Sequence, residues 1–313
     1  VLDPSTGRSC KAVDQNLFRG KKGVFDDLFG GTFGSTNKRG LLVVVMEQLG
    51  DFSSAEYAEQ LVAVAKDLDG ANVALRVIGV GDAQTAKMFA SFTGLPLSCI
   101  RMDESASLHN ALGCHRGPNW DLPSWIPSAM LDWFSNQVGA KDEDEDGRRM
   151  VARAWLNYMA MCAGVAAPGT LPEILRGYIG DKTAPERLRD DEVVVAGPIY
   201  IKGVKDVKIG PIEYQSLWQN EKGYQRPAEL ATVRLRSMVE VLSNFEEYVP
   251  DQKLLDWRGA TFLFASDGSL LYEYKDKGVL TYSETMDRPL SFLSPFIGQK
   301  RARNPLGLSD PQE

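Results

Sequence analysis

The chain has little of what most catalytic sites are built from. Its 313 residues include two histidines, His109 and His115, and four cysteines, Cys10, Cys99, Cys114 and Cys162. No C-x-x-C occurs, and no Cys/His cluster has zinc-ligand spacing, so neither a metal site nor a bound cofactor is expected. Two histidines give little material for a Ser-His-Asp triad, and no G-x-S-x-G elbow is present. Positive charge is also short: the formal net charge is −7, which excludes broad binding to nucleic acid or anionic lipid. A basic cluster at Lys300, Arg301 and Arg303 reads as a solvated tail. Long apolar runs are scarce too. The window from Met150 to Ala167 contains Arg153 and Asn157 and reads as a buried helix rather than a transmembrane segment. The few cysteines do not form a disulfide scaffold, which favours a reducing compartment. The sequence opens at Val1 with no signal-like segment, which fits either a processed targeting peptide or a start within the ordered protein.

What is there has rhythm. Residues 1–40 are glycine-rich ("FGGTFGSTNKRG") but lack phosphate-loop spacing, and read as an approach to the first central strand. "LLVVVM" (41–46) is a continuous apolar run, as in a strand covered on both faces. A helical stripe of Tyr57, Leu61, Val64, Ala65 and Leu68 follows. Next come a strand "VALRVIGV" (73–80), a helix ending at Gly94, a strand "LPLSCIRM" (95–102) and a short helix "ESASLHNALG". Such β-α-β-α-β alternation predicts a parallel, doubly covered sheet.

Beyond Gly113 the alternation stops. Residues 115–190 read as mainly helical, and 193–214 as short strands or an extended arm. The helix "RPAELATVRLRSMVEVLSNFEEYV" has Pro227 in its first turn and predicts Leu230, Val233, Met238, Leu242 and Phe245 facing inward. "ATFLFASDGSLLYEYKDKG" predicts a hairpin around Asp267-Gly268, and "SETMDRPLSFLSPFIG" a last helix. The acidic run with Asp142, Asp144, Asp146 and Gly147 fits the opening of a calcium loop. Its twelfth position is Arg153 instead of Glu, so a charged turn is expected. The adjacent Asp190 and Asp191 read as solvated surface.

A parallel βαβαβ start and a closing hairpin plus helix are the parts of an α/β, thioredoxin-like fold: a central mixed sheet flanked by helices, with a large, mainly helical insertion. The expected divisions are 1–114 for the first part of the core, 115–255 for the insertion, 256–298 for the hairpin and helix that complete it, and 299–313 for the tail. The segments "LLVVVMEQLGDFSSAEYAEQL", "NVALRVIGVGDAQTAKMFASFTGLP", "MDESASLHNALG" and "RGATFLFASDGSLLYEYKDKGV" resemble the AhpC/TSA-type peroxiredoxin-like family. "PGTLPEILRGYIGDKTAPERL" and "GYQRPAELATVRLRSMVEVL" resemble its plant and algal chloroplast members.

In active relatives the strand-to-helix junction carries a G-C-x-x-C-like motif. Aligned on the glycine, the two cysteines fall at Asp51 and Ser54. Neither side chain can form a sulfenate or a disulfide, so the family's redox activity does not carry over. Arg258 before "GATFLF" resembles the transition-state arginine of peroxiredoxins; without a peroxidatic sulfur, an ordinary salt-bridge or helix-capping role is expected. Among the remaining cysteines, Cys99 is expected inside the third strand, Cys114 at a negative helix end, Cys162 in an apolar helix and Cys10 in a loop. The junction itself reads as a helix start: Ser53 as cap, Glu56 completing a capping box, and Phe52 with Tyr57 as a staple.

Five tryptophans, Trp120, Trp125, Trp133, Trp155 and Trp218, fall in the insertion, and most are expected to form a small second core. The sharper reading makes Trp120, Trp125, Trp133 and Phe134 an exposed anchor for a protein partner. An interfacial membrane contact would need a Lys/Arg face that this segment lacks. The resemblance therefore implies a catalytically silent member acting in protein recognition. It would be an auxiliary, assembly or repair factor on a thylakoid photosynthetic complex, in the chloroplast stroma or peripheral to the thylakoid membrane. The competing reading is a thiol-dependent peroxidase or oxidoreductase using one of the other cysteines.

Overall fold

The computed structural model describes residues 40–165, 193–196, 199–201, 207–209, 212–215, 228–283 and 289–297. The readings of the glycine-rich approach, Cys10, Asp190 and Asp191, Trp218, Pro227 and the basic tail lie outside them. So do those of the Phe52, Leu230 and Val233 side chains.

Strand β1 (Gly40–Gln48) leads into helix α1 (Phe52–Gly70), followed by β2 (Val73–Val80) and α2 (Ala83–Thr93). Asp82 caps α2 by accepting the Thr85 N–H at 2.8 Å, and Gly94 closes it in the left-handed region at φ 78°. Strand β3 (Ile100–Met102) and α3 (Ser107–Leu112) complete the first half. The third strand is shorter than its sequence suggests: Leu97–Cys99 form a 3₁₀ turn after Pro96, and Cys99 sits half-buried there rather than in the sheet.

Helices α4 (Ser128–Gln137) and α5 (Glu145–Cys162) follow. Two antiparallel ribbons come next, pairing β4 (Val193–Ala196) with β7 (Ile212–Gln215), and β5 (Ile199–Ile201) with β6 (Val207–Ile209). After α6 (Ala228–Ser243) and α7 (Phe245–Tyr248), the hairpin of β8 (Ala260–Phe264) and β9 (Leu270–Lys275) returns to the sheet. A one-turn α8 (Ser294–Ile297) ends the described chain.

The main sheet runs β3-β2-β1-β8-β9. β1 pairs parallel with β2 and antiparallel with β8, with Val44 opposite both Val77 and Thr261. This is the mixed sheet of a thioredoxin-like fold, with helices on its faces and a helical region in the middle of the chain. The alternation of side chains along β1 explains the uninterrupted apolar run. Leu42, Val44 and Met46 enter one core with Leu61, Val64, Leu68 and Phe89. Leu41, Val43 and Val45 enter a second core with Ile78, Trp257 and Phe262.

The middle region docks on this sheet. Ala154 and Met161 of α5, with Tyr248 and Val249 at the end of α7, belong to the first core. A polar knot fastens the same contact: buried Asp256 accepts from Arg116 Nε at 2.9 Å and Asn157 Nδ2 at 3.3 Å. None of the described helices is long and apolar enough to cross a membrane. Asp144 caps α5 by accepting the Gly147 N–H at 2.7 Å, and Arg153 pairs with Asp121.

On α6 the buried face is not the one expected. Ser237 and Val241, four residues apart, turn inward, while Met238 and Leu242 are exposed.

Candidate functional site

The junction after β1 is closed by an ion cluster. The Gly50 turn packs so tightly that a Cβ there would lie 2.3 Å from Val249 Cγ2. Asp51, not Ser53, is the N-cap of α1: its Oδ1 accepts the Ser53 N–H at 3.0 Å. The Ser53 hydroxyl turns to Asp51 Oδ1 (2.9 Å) and Glu47 Oε1 (3.1 Å), so it has no part in a capping box. Ser54 Oγ donates to Glu47 Oε2 at 2.9 Å.

Opposite them stands Arg258, fully buried, reached from the loop before β8. Its Nη1 donates to Asp51 Oδ2 at 3.0 Å and to Glu47 Oε1 at 3.3 Å, and its Nη2 to the Leu255 carbonyl at 3.0 Å. The guanidinium carbon lies 5.5 Å from the Tyr158 ring centroid, a cation–π distance. Arg258 thus takes a salt-bridge role, and α5 helps roof the cluster through Tyr158.

Charge in this cluster is unbalanced. Glu47, Asp51 and Asp276 are all buried, with Arg258 as their counter-ion. Burial raises the Glu47 carboxyl above its ordinary range; Arg258 opposes this and Asp51 adds to it. Burial likewise raises Asp276 well above that range, reinforced by Glu47, and its Oδ1 has no hydrogen-bond partner.

A pH effect follows. Folded Asp276 keeps its proton to higher pH than in the unfolded chain, where a carboxyl titrates near pH ~4. Its stabilising contribution is therefore full below that value and is lost as pH rises through the folded pKa. Asp276→Asn, which cannot ionise, is expected to gain about 1–2 kcal/mol over the native chain at pH 8 and to flatten the pH slope. Thermal unfolding between acid and mildly alkaline pH checks both; an unchanged slope contradicts the assignment.

The cluster offers acceptors and a cation but no nucleophile. Both serine hydroxyls donate to carboxylates, and no histidine meets them. His109 is buried elsewhere, its Nε2 2.7 Å from the Met46 carbonyl and so carrying a hydrogen. Its Nδ1 lies 3.9 Å from Asp103 Oδ2. Burial opposes ionisation of Asp103, but His109, the Leu108 N–H and the Ser107 hydroxyl outweigh it and hold the carboxyl at about 2.

The described cysteines are not activated where their titration is resolved. Burial pushes the Cys162 thiol up to about 11, with Asp51 adding to it and Arg258 opposing. Burial pushes Cys114 up to about 12, with Asp276 adding to it. No group of three or more His, Cys, Asp or Glu able to hold a metal occurs among the described residues.

The aromatic segment behaves differently from a second core. Leu131 and Ser135 form the buried stripe of α4, which turns Trp133 outward. Trp125, Trp133 and Trp120 are 77%, 62% and 44% exposed, while Phe134 and Trp155 are half-buried. The junction residues Asp51 and Ser54 meet in one cluster with Glu47 and Arg258, whereas Trp120 and Trp125 precede α4 and Trp133 and Phe134 lie on it. Sequence reasoning missed Glu47, Tyr158 and Asp276. Glu47 did carry a signal, as a carboxylate directly following a run of buried strand residues.

Fold and site together define a thioredoxin-like protein with a peroxiredoxin-type sheet and a buried arginine at the head of its first helix. The family model described as AhpC/TSA antioxidant enzyme matches residues 60–278, and the chain belongs to that family. The match begins beyond the junction that holds Asp51 and Ser54. No curated protein and no solved structure matches the chain significantly.

Proposed function

We propose that this chain is a redox-silent member of the AhpC/TSA family that works by binding a protein partner. It serves as an auxiliary, assembly or repair factor of a thylakoid photosynthetic complex in the chloroplast. The observation that carries the silent part is the closure of Arg258 by Asp51 and Glu47. An arginine already neutralised and buried has no open face for a peroxide, and no thiolate stands beside it. The recognition part is supported by Trp120, Trp125 and Trp133, large rigid side chains exposed beside half-buried Phe134. The chloroplast setting rests on the sequence resemblance described above.

Native affinity purification of the tagged full chain from chloroplast-bearing cells tests this reading. Subunits of a thylakoid complex are expected to co-purify, and Trp125→Ala/Trp133→Ala to lose them with unchanged thermal unfolding. A clean monomer from both chains would contradict it.

A further inference from the structure

We propose that a groove between α4, α5 and the α6–α7 junction receives a partner peptide carrying a Lys or Arg beside a large apolar residue. The inference rests on the protein-recognition reading and names the chemistry of the partner. The groove has a volume of about 480 Å³ and an apolar floor of Trp155, Leu242 and Phe245. Leu242 is 65% exposed and lines the same groove as the Trp155 and Phe245 rings. Trp155 is held in place by its Nε1, which donates to Gln252 Oε1 at 2.8 Å, and by ring contact with Phe245 at 5.6 Å. The floor is therefore pre-formed.

The rim is acidic. Glu246 and Glu247 line the groove, are exposed, and pair with no cation among the described residues. The Glu246 carboxylate lies over Gly139, where an added Cβ would come within 2.9 Å of it. Three acids of the α4–α5 region do have cations: Glu143 pairs with Lys253, Asp132 with Arg148 and Asp121 with Arg153. Two unanswered carboxylates over an aromatic floor fit a cation on an apolar stem, which also gains from the ring faces. Gln137, at the edge of the groove, lies one turn from exposed Trp133 on α4. A segment seated in the groove can therefore extend toward the aromatic residues proposed above. The chain's net charge of −7 disfavours an anionic lipid surface as the occupant.

The test is panning of a random displayed-peptide library on the full chain, followed by titration calorimetry of the selected peptides. Selected peptides are expected to combine Lys or Arg with Leu, Phe or Trp. Leu242→Asp should weaken them about tenfold or more, consistent with loss of a central apolar anchor. Glu246→Gln/Glu247→Gln should weaken them about tenfold at low salt and much less at high salt. All three side chains are exposed, so unaltered thermal unfolding is expected for each variant. Failure to select such peptides, or selected peptides indifferent to these changes, overturns the proposal. So does Leu242-dependent sedimentation with phosphatidylglycerol vesicles, or a dimer that Leu242→Asp dissolves. If the groove variants keep a native partner that the Trp125/Trp133 variant loses, the groove assignment falls while the recognition reading stands.

Discussion

Arg258→Met lowers the stability of the folded chain by about 3–5 kcal/mol, the loss expected when one partner of a buried ion pair is removed. The reason is local and electrostatic. Asp51 and Glu47 keep their hydrogen bonds from Ser53 and Ser54 but lose the cation that both share. Asp276 loses the same compensating charge. The sign with pH is fixed by Glu47 and Asp276. Burial already raises both carboxyls and Arg258 opposes it, so without the guanidinium they rise further and the folded variant binds more protons than the unfolded chain across the acid range. Its deficit against the native chain should shrink as pH falls toward the carboxylate range and grow toward pH 8. Urea unfolding at the two ends of that range measures it. A deficit under about 1 kcal/mol at pH 8, in the range of an exposed ion pair, would mean the cluster is not buried as described.

Gly259→Ala removes about 3 kcal/mol by a different route, overpacking against backbone. A Cβ at this position would lie 2.3 Å from the Val45 carbonyl and 2.8 Å from Asp276 Oδ2. Val45 pairs with Ala260 across β1 and β8, so the clash can be relieved only by moving two central strands apart. Gly70→Ala is the control: a Cβ there meets nothing within 4 Å, and alanine at this end of α1 should be neutral or slightly stabilising. Equal midpoints for the two variants in denaturant would contradict the close approach at Gly259.

The sheet and its first helices were legible because their signals are local. An apolar run covered on both faces, a stripe from Tyr57 to Leu68, and Gly94 after α2 each report on their own neighbourhood. The junction was legible only in part, because its chemistry depends on residues far apart in sequence. Ser53 has the side chain of a good cap, but Glu47 and Arg258 draw it and Asp51 into a different arrangement. No spacing rule links Arg258 to Asp51. The inward face of α6 was misplaced by one residue because Ser237, polar in composition, is buried beside Val241. The tryptophans of the α4 segment were read toward burial by their hydrophobicity. Leu131 and Ser135 hold the stripe that faces α5, leaving the rings outside.

In the redox-silent reading proposed above, an ion cluster occupies the head of α1 in place of a reactive sulfur. This reading is tested most directly by following hydrogen peroxide consumption with a thioredoxin reductant, for the native chain and for Cys162→Ser. Cys162 is the natural control because its thiol feels both Asp51 and Arg258. Neither protein is expected to consume peroxide above the rate of a chain with all cysteines replaced by serine. Turnover by the native chain that Cys162→Ser abolishes would contradict it.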